Sequence, residues 1–269
     1  MKYLRLLFSR AALCLWAICL CIGFSIVGSD ASRTVLLKQE TKFGYAKVSL
    51  PMEMKRWDEA LFILLSVRAK AEMADFLKRA EKDAAARPSA EEEATWNPYA
   101  QSVIYVEQFR TSSLVSYLEI ISTAHGGNPE IEFRTVNFDK EKKKELDLGD
   151  ILDGAEDRSK ILEAMANYAR ADLKDKTGEE DEDSEPLLAL AKPDLSVFER
   201  FTLCPSTKLE KAAGLTIHFA PTVDGPFAGS DFHVTVPYTV FSKFLKPGAK
   251  ALFTGEPRQA PFSLQDAET

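Results

Sequence analysis

The spacing of apolar residues changes along the first half of the chain from a two-residue period to a helical period and back. Residues 34–50 alternate loosely and predict one or two strands. Residues 102–123 alternate more clearly and predict a hairpin that turns at residues 111–113. Between them, residues 57–86 carry apolar side chains at helical spacing, which predicts one long helix that ends before Pro88.

The second half of the chain continues with shorter elements. Its pattern predicts a strand at 131–138, a second helix around 161–173, strands at 198–203, 215–220 and 232–236, and a short amphipathic helix from Pro237. Strands and helices form separate groups and do not alternate as they do in doubly wound proteins. We therefore predict an α+β fold in which antiparallel sheets pack against a long N-terminal helix and a second central helix.

The N-terminus has the layout of a secretory signal peptide. Basic residues precede an uncharged apolar segment at residues 11–27, and small or polar residues follow it. We predict cleavage after Ala31, which makes residues 1–31 the signal peptide and leaves a periplasmic or secreted protein with no membrane span. Two alternatives stay open: cleavage after Ser29, and an uncleaved segment that anchors the protein in the inner membrane.

The chain is acidic, with a formal net charge of −7 over 269 residues. Removal of residues 1–31 takes away three basic residues and one acidic residue, so the mature chain has a charge of −9. This balance argues against a nucleic-acid-binding protein, which needs a basic surface to displace counterions from phosphates. It leaves a cationic partner open.

Familiar catalytic and cofactor motifs are absent from the sequence. There is no Walker loop, no dinucleotide-binding glycine motif, no HExxH motif and no GxSxG motif. Three of the four cysteines lie in the predicted signal peptide, so Cys204, in an apolar run, is predicted to be a buried structural thiol. The remaining cysteine and the histidines supply a zinc site poorly, and the carboxylates at 179–183 lack the spacing of a calcium loop. We predict neither a metal nor a cofactor.

Two histidines near the C-terminus are candidates for a functional pair. If the two strands around residues 221–230 pair symmetrically, His218 faces His233 and Ile217 faces Val234, with cross-strand Cβ atoms about 5 Å apart. The pair is predicted to lie on the polar face of a sheet. A metal-binding, pH-sensitive or acid–base role stays open, although the strands show no third ligand.

A second candidate is the loop that follows the predicted hairpin, with the sequence Ala-His-Gly-Gly-Asn-Pro from Ala124. Loops on a rigid sheet often carry binding residues. His125 has no orienting carboxylate that the sequence identifies, so we interpret it as a structural or ligand-facing residue and not as a catalytic one.

Three stretches of the sequence, 116–127, 136–152 and 214–245, resemble the DUF3298 family in their order and spacing. They read SYLEIISTAHGG, then NFD followed by LDLGDIL, then GLTIHFAP followed by FAG, VTVPY and an amphipathic helix. Residues 38–110 resemble the DUF4163 region that usually precedes it. The resemblance implies a DUF4163-like region at 32–123 and a DUF3298-like region at 124–253. The tail at 254–269 is predicted to be loosely ordered because it is a chain terminus.

The chain departs from the family pattern at two places. Ser122 and Thr123 stand where the family usually has two glycines before Ala-His-Gly. In the last hairpin, Phe227 takes the place of an aromatic residue next to Ala228 and Gly229, and the first tyrosine of the family segment is missing.

Known DUF3298 members are extracytoplasmic modules: one is the lysozyme-binding ectodomain of a membrane-anchored anti-sigma factor, and another accompanies a peptidoglycan deacetylase domain. The resemblance therefore implies a non-catalytic exported binding protein whose ligand is a lysozyme-like hydrolase or a peptidoglycan fragment. An envelope immunity or structural protein with a dedicated partner, or a histidine-based hydrolase, stays open. The candidate contact residues lie in two loops: His125, Gly126, Gly127 and Asn128 in one, and Asp224, Phe227 and Gly229 in the other.

Overall fold

A computed structural model describes residues 34–86, 97–153, 157–177, 188–219 and 232–258 of the chain. Some sequence predictions lie outside these residues: the signal peptide, the carboxylate run at 179–183, the tail beyond residue 258, and the loop residues Asp224, Phe227 and Gly229. Within the described ranges, no helix is both long enough and apolar enough to cross a membrane.

The first sheet is formed by the N-terminal half of the described chain. Its strands, in spatial as well as chain order, are β1 (Thr34–Glu40), β2 (Gly44–Pro51), β3 (Tyr99–Arg110), β4 (Leu114–Ala124), β5 (Glu130–Asp139) and β6 (Lys144–Glu145). Neighbours pair antiparallel except β2 and β3, which are parallel. The α+β class is confirmed, and this sheet is mixed because the helical connection between β2 and β3 is long enough for a parallel crossover.

The long helix predicted at 57–86 is confirmed as α2 (Glu59–Ala85), and a short helix that was not predicted, α1 (Met52–Trp57), precedes it. The chain leaves the helical conformation at Asp58, with φ −138° and ψ 55°. The Asp58 carboxylate is buried, where it accepts a hydrogen bond from Arg110 of β3. One face of α2 packs on the sheet and buries Leu61, Leu65, Ala69, Met73, Phe76 and Leu77.

The second half of the chain forms a smaller sheet and its covering helices. In chain order the elements are α3 (Leu148–Ile151), α4 (Arg158–Thr177), α5 (Leu195–Phe198), β7 (Phe201–Pro205), β8 (Ala212–Phe219), β9 (Phe232–Pro237), α6 (Tyr238–Phe241), a 3-10 turn (Ser242–Phe244) and α7 (Pro247–Lys250). The three strands are antiparallel in the order β7-β8-β9.

Two sequence predictions for this half differ from the structure. The strand predicted from residue 198 begins at Phe201, because the Asp194 carboxylate accepts a hydrogen bond from the Ser196 amide and starts a helical turn there. The tail predicted as loosely ordered from residue 254 is bonded to the second sheet as far as Arg258, whose amide donates to the Pro205 carbonyl.

Buried polar side chains join the two sheets. The Ser116 hydroxyl accepts a hydrogen bond from the Leu203 amide of β7 and donates one to the Asn137 side chain. The Asn137 amide in turn donates to the Phe201 carbonyl at 2.8 Å. The predicted boundary between the DUF4163-like and DUF3298-like regions, at residues 123 and 124, falls at the end of β4, within the first sheet. This boundary stays a prediction.

Candidate functional site

The predicted His125 loop lies at the end of the first sheet, between β4 and β5. Gly126 has φ +84°, a left-handed conformation that favours glycine. The Asn97 side-chain amide donates a hydrogen bond to the Gly126 carbonyl at 2.8 Å and fixes the loop against the start of β3. His125, Gly127 and Asn128 are exposed to solvent. The structure therefore brings the four predicted residues of this loop together on an accessible surface.

Tyr99 and Phe76 complete an aromatic cluster around His125. The His125 ring lies 4.8 Å from the Tyr99 ring and 6.4 Å from the Phe76 ring, measured between centroids. The Tyr99 hydroxyl donates to the Asp83 carboxylate at 3.3 Å, which holds the ring against α2. We call Tyr99 and His125, with Phe76 beneath them, the aromatic ledge. Such rings combine an apolar face with a polar edge and suit partly wet contact surfaces.

Tyr99 and Phe76 were not among the predicted site residues. Tyr99 immediately precedes the pair formed by Ala100 and Ala124, so it lies across from His125 in the β3–β4 register. That register could have indicated Tyr99, since residues 102–123 were predicted as a hairpin. The sequence pattern presents Phe76 only as one of the apolar residues of the long helix, because its approach to His125 depends on how α2 lies across the sheet.

Beside the aromatic ledge, a groove of about 470 Å³ lies between α2 and strands β3 to β5. We call it the charged groove. Its lining residues are Glu72, Asp75, Lys78, Arg79, Lys82, Gln101, Val103, Ile121 and Arg134. Gln101 lies two residues after Tyr99 on the same face of β3, so the groove and the ledge are continuous.

A buried polar cluster lies beyond the groove, further along the same face of the sheet. Glu119, with 1% of its side chain exposed, accepts a hydrogen bond from the Tyr105 hydroxyl at 2.7 Å and pairs with Arg68 at 3.3 Å. Burial raises the pKa of Glu119, although both partners oppose the shift. Burial and the nearby Glu119 carboxylate raise the pKa of Tyr105. The cluster joins α2 to β3 and β4 and thereby fixes the walls of the groove.

The predicted register of the histidine pair is confirmed: His218 faces His233 across β8 and β9, and Ile217 faces Val234. The two imidazole centroids are 6.4 Å apart. The predicted polar face is confirmed, since Thr202 and Thr216 share it with His218, but this face is buried at His218, which is only 5% exposed. Its Nε2 lies 2.9 Å from the hydroxyl of Thr202, which is on the neighbouring strand β7 and opposite Thr216.

His218 and His233 lie on the second sheet, whereas His125 follows β4 of the first sheet. The described parts of the chain contain no group of three His, Cys, Asp or Glu residues that could hold a metal ion. Cys204 is buried, as predicted, and burial raises the pKa of its thiol.

Burial, together with the neighbouring His233, lowers the pKa of His218 to about 3. An unfolded chain, with an ordinary histidine pKa of about 6.5, therefore binds a proton that the folded chain excludes, so stability falls as pH drops below about 6.5. Each pH unit between these two pKa values costs about 1.4 kcal/mol.

We expect the wild type to lose about 2 kcal/mol more unfolding free energy between pH 7 and pH 5 than the His218→Gln variant. Glutamine keeps a hydrogen bond to Thr202 possible but does not titrate. Urea unfolding of both proteins at the two pH values measures the difference. Equal losses in the two proteins would show that His218 does not exclude the proton.

A second cavity, of about 670 Å³, lies between the β3–β4 turn, the β5–β6 turn and α7, away from the predicted loops. Several of its charged residues are bonded to neighbours: Lys142 to Asp139 at 2.9 Å, Lys144 to Asp150 at 2.7 Å, and Glu210 to the Ser112 amide and hydroxyl. These bonds fix the turns that form its walls.

Comparison with known proteins shows a likeness of fold. No family model matches the sequence, and no curated protein matches it. A crystal structure of a DUF3298 family member from Bacteroides fragilis superposes with a TM-score of 0.51 at 13% identity, covering 84% of this chain and 94% of the other. A DUF3298 protein from Pseudomonas aeruginosa gives a TM-score of 0.45 at 13% identity, covering 87% of this chain and 98% of the other. The chain thus has a fold similar to that of the DUF3298 protein from Bacteroides fragilis.

Proposed function

We propose that this chain is an exported, non-catalytic binding protein of the cell envelope, whose ligand is peptidoglycan or a cell-wall hydrolase such as lysozyme. The signal-like N-terminus, the three DUF3298-like stretches and the similar fold support the proposal. The observation that carries it is the continuity of the exposed His125 loop, the aromatic ledge and the charged groove at one end of the first sheet.

This arrangement suits binding because a rigid framework holds an exposed surface. Strands β3, β4 and β5 are paired along their whole length up to the loop, and the Asn97–Gly126 hydrogen bond fixes the loop itself. A preorganised loop loses little conformational freedom when it binds. The exposed His125 ring can contact the C–H face of a sugar ring, while Asn128 offers amide hydrogen bonds.

Two assays test the proposal with the purified chain: titration with soluble peptidoglycan fragments, and lysis of bacterial cell walls by lysozyme with and without the chain. We expect saturable binding of the fragment or near-stoichiometric inhibition of lysis. We also expect His125→Ala to weaken the observed activity at least tenfold. Tyr168→Ala, which removes a partly exposed aromatic residue of α4, is the matched control and should have no effect. A folded protein that shows neither binding nor inhibition would exclude the proposal.

A second candidate function, binding of a dedicated protein partner, is supported by a different surface. Trp57, Ile63, Leu64 and Val67 are between 41% and 64% exposed on α1 and α2, and we call them the apolar stripe. On α2 the stripe lies opposite the face that packs on the sheet. A contiguous exposed apolar patch is typical of protein interfaces. This function predicts a stoichiometric partner that Val67→Glu releases without any change in fragment binding.

A further inference from the structure

We infer that the charged groove binds the carboxylate groups of an anionic glycan-peptide fragment, which makes peptidoglycan, and not a cationic hydrolase, the ligand of this site. The inference rests on the proposed function and specifies its ligand. The charge of the groove is opposite to the charge of the chain. Four cationic and two anionic side chains line the groove, although the whole chain has a net charge of −7.

The cations of the groove differ in whether another residue neutralises them. Arg134 is paired with Glu132 at 2.8 Å and with Glu72 at 3.2 Å. Lys78, Arg79 and Lys82, by contrast, are exposed and form no ion pair with any other residue in the described ranges. Because Lys82 lies one helical turn after both Lys78 and Arg79 in α2, the three side chains form one cationic edge over the groove.

A groove lined by more cationic than anionic side chains concentrates anions. Lysine and arginine bind carboxylates through charge-assisted hydrogen bonds, which are stronger than neutral ones. The same edge repels a cationic protein surface. A volume of about 470 Å³ also fits one or two saccharide units and a short peptide, since small-molecule sites are usually between about 300 and 1,000 Å³.

The aromatic ledge offers a contact surface for the sugar part of the ligand. Tyr99 is bonded to Asp83, which adjoins Lys82 in α2, and Gln101 continues the same strand face into the groove. A sugar ring in contact with the ledge therefore lies beside the end of the groove that Lys82 and Gln101 line. The ligand that fits both parts has a sugar ring and, a few bonds away, free carboxylates, as muramyl peptides do.

The test is calorimetric titration of the full chain with a disaccharide-tetrapeptide from peptidoglycan, and with the same fragment after methyl esterification of its carboxylates. The test variant is Lys78→Glu/Arg79→Glu/Lys82→Glu. The control variant, Lys208→Glu/Lys243→Glu/Lys250→Glu, changes the net charge equally at exposed positions of the second half of the chain. Thermal unfolding verifies that each variant is folded.

We expect the test variant and the esterified fragment each to lower affinity at least tenfold, while the control variant keeps the wild-type affinity. Equal weakening in both variants, or none in either, would overturn the inference and leave the proposed function intact. Inhibition of lysozyme without fragment binding would also overturn the inference alone. Failure to bind the fragment and to inhibit lysozyme would instead remove the proposed function itself.

Discussion

Replacing Arg110 by methionine is expected to destabilise the folded protein by about 3 kcal/mol, because it removes the main partner of a buried charge. The Asp58 side chain is fully buried, 2.7 Å from Arg110 Nη1 and 3.3 Å from Lys140 Nζ. Arg110 also contacts Glu107 and the Tyr117 hydroxyl. In the variant, Lys140 alone remains to compensate the Asp58 carboxylate.

Denaturant unfolding at pH 7 measures this loss. Arg134→Met is the control: its ion pairs with Glu72 and Glu132 are largely exposed, so we expect a cost below about 1 kcal/mol. We also expect Asp58→Ala/Arg110→Met to cost less than the two single changes combined, since no uncompensated charge is left at this position. If the double variant lost as much unfolding free energy as the two single variants combined, Asp58 and Arg110 would not interact as the structure shows.

The second large effect is expected at Gly214, where substitution by alanine should lower the free energy of unfolding by about 3 kcal/mol. A Cβ atom at this position of β8 would lie 2.2 Å from the Val236 carbonyl oxygen and 2.9 Å from the Pro237 Cα. Both neighbours are backbone atoms of β9, so the two strands would have to separate. The pair between Gly214 and Pro237 would then be lost, together with packing of the second core.

Thermal or denaturant unfolding of Gly214→Ala, compared with Gly248→Ala, provides the measurement. An added Cβ at Gly248 meets no atom within 4 Å, and this position lies in helix α7. The control variant should therefore stay within about 0.5 kcal/mol of the wild type. A Gly214→Ala protein as stable as this control would mean that β8 and β9 are not as close as the structure has them.

The fold class and the register of β8 with β9 could be predicted because both depend on local pattern. Alternation fixes which residues of a strand share a face, and the symmetric loop length placed His218 opposite His233. The parallel pairing of β2 with β3 has no such local signature. The break at Asp58 was also missed, and the buried contact that Asp58 makes there is with Arg110, 52 residues away in the sequence.

The candidate site was only half predictable for the same reason. The His125 loop stands out in the sequence through its glycines, and the structure places it on the surface as expected. Lys78, Arg79 and Lys82, however, have the pattern of an ordinary solvated helix face. Only the packing of α2 across β3 and β4 places them beside Gln101 and the aromatic ledge.

Hydrogen–deuterium exchange with and without a soluble peptidoglycan fragment tests the location of the binding site most directly. Bound ligand should slow exchange in the loop after β4 and in the second half of α2, the segments that carry His125 and Lys78 to Lys82. Protection confined to these segments is the predicted result. Protection at the apolar stripe or in the second sheet, or none at all despite measurable binding, would contradict the assignment of the ledge and the groove as the site.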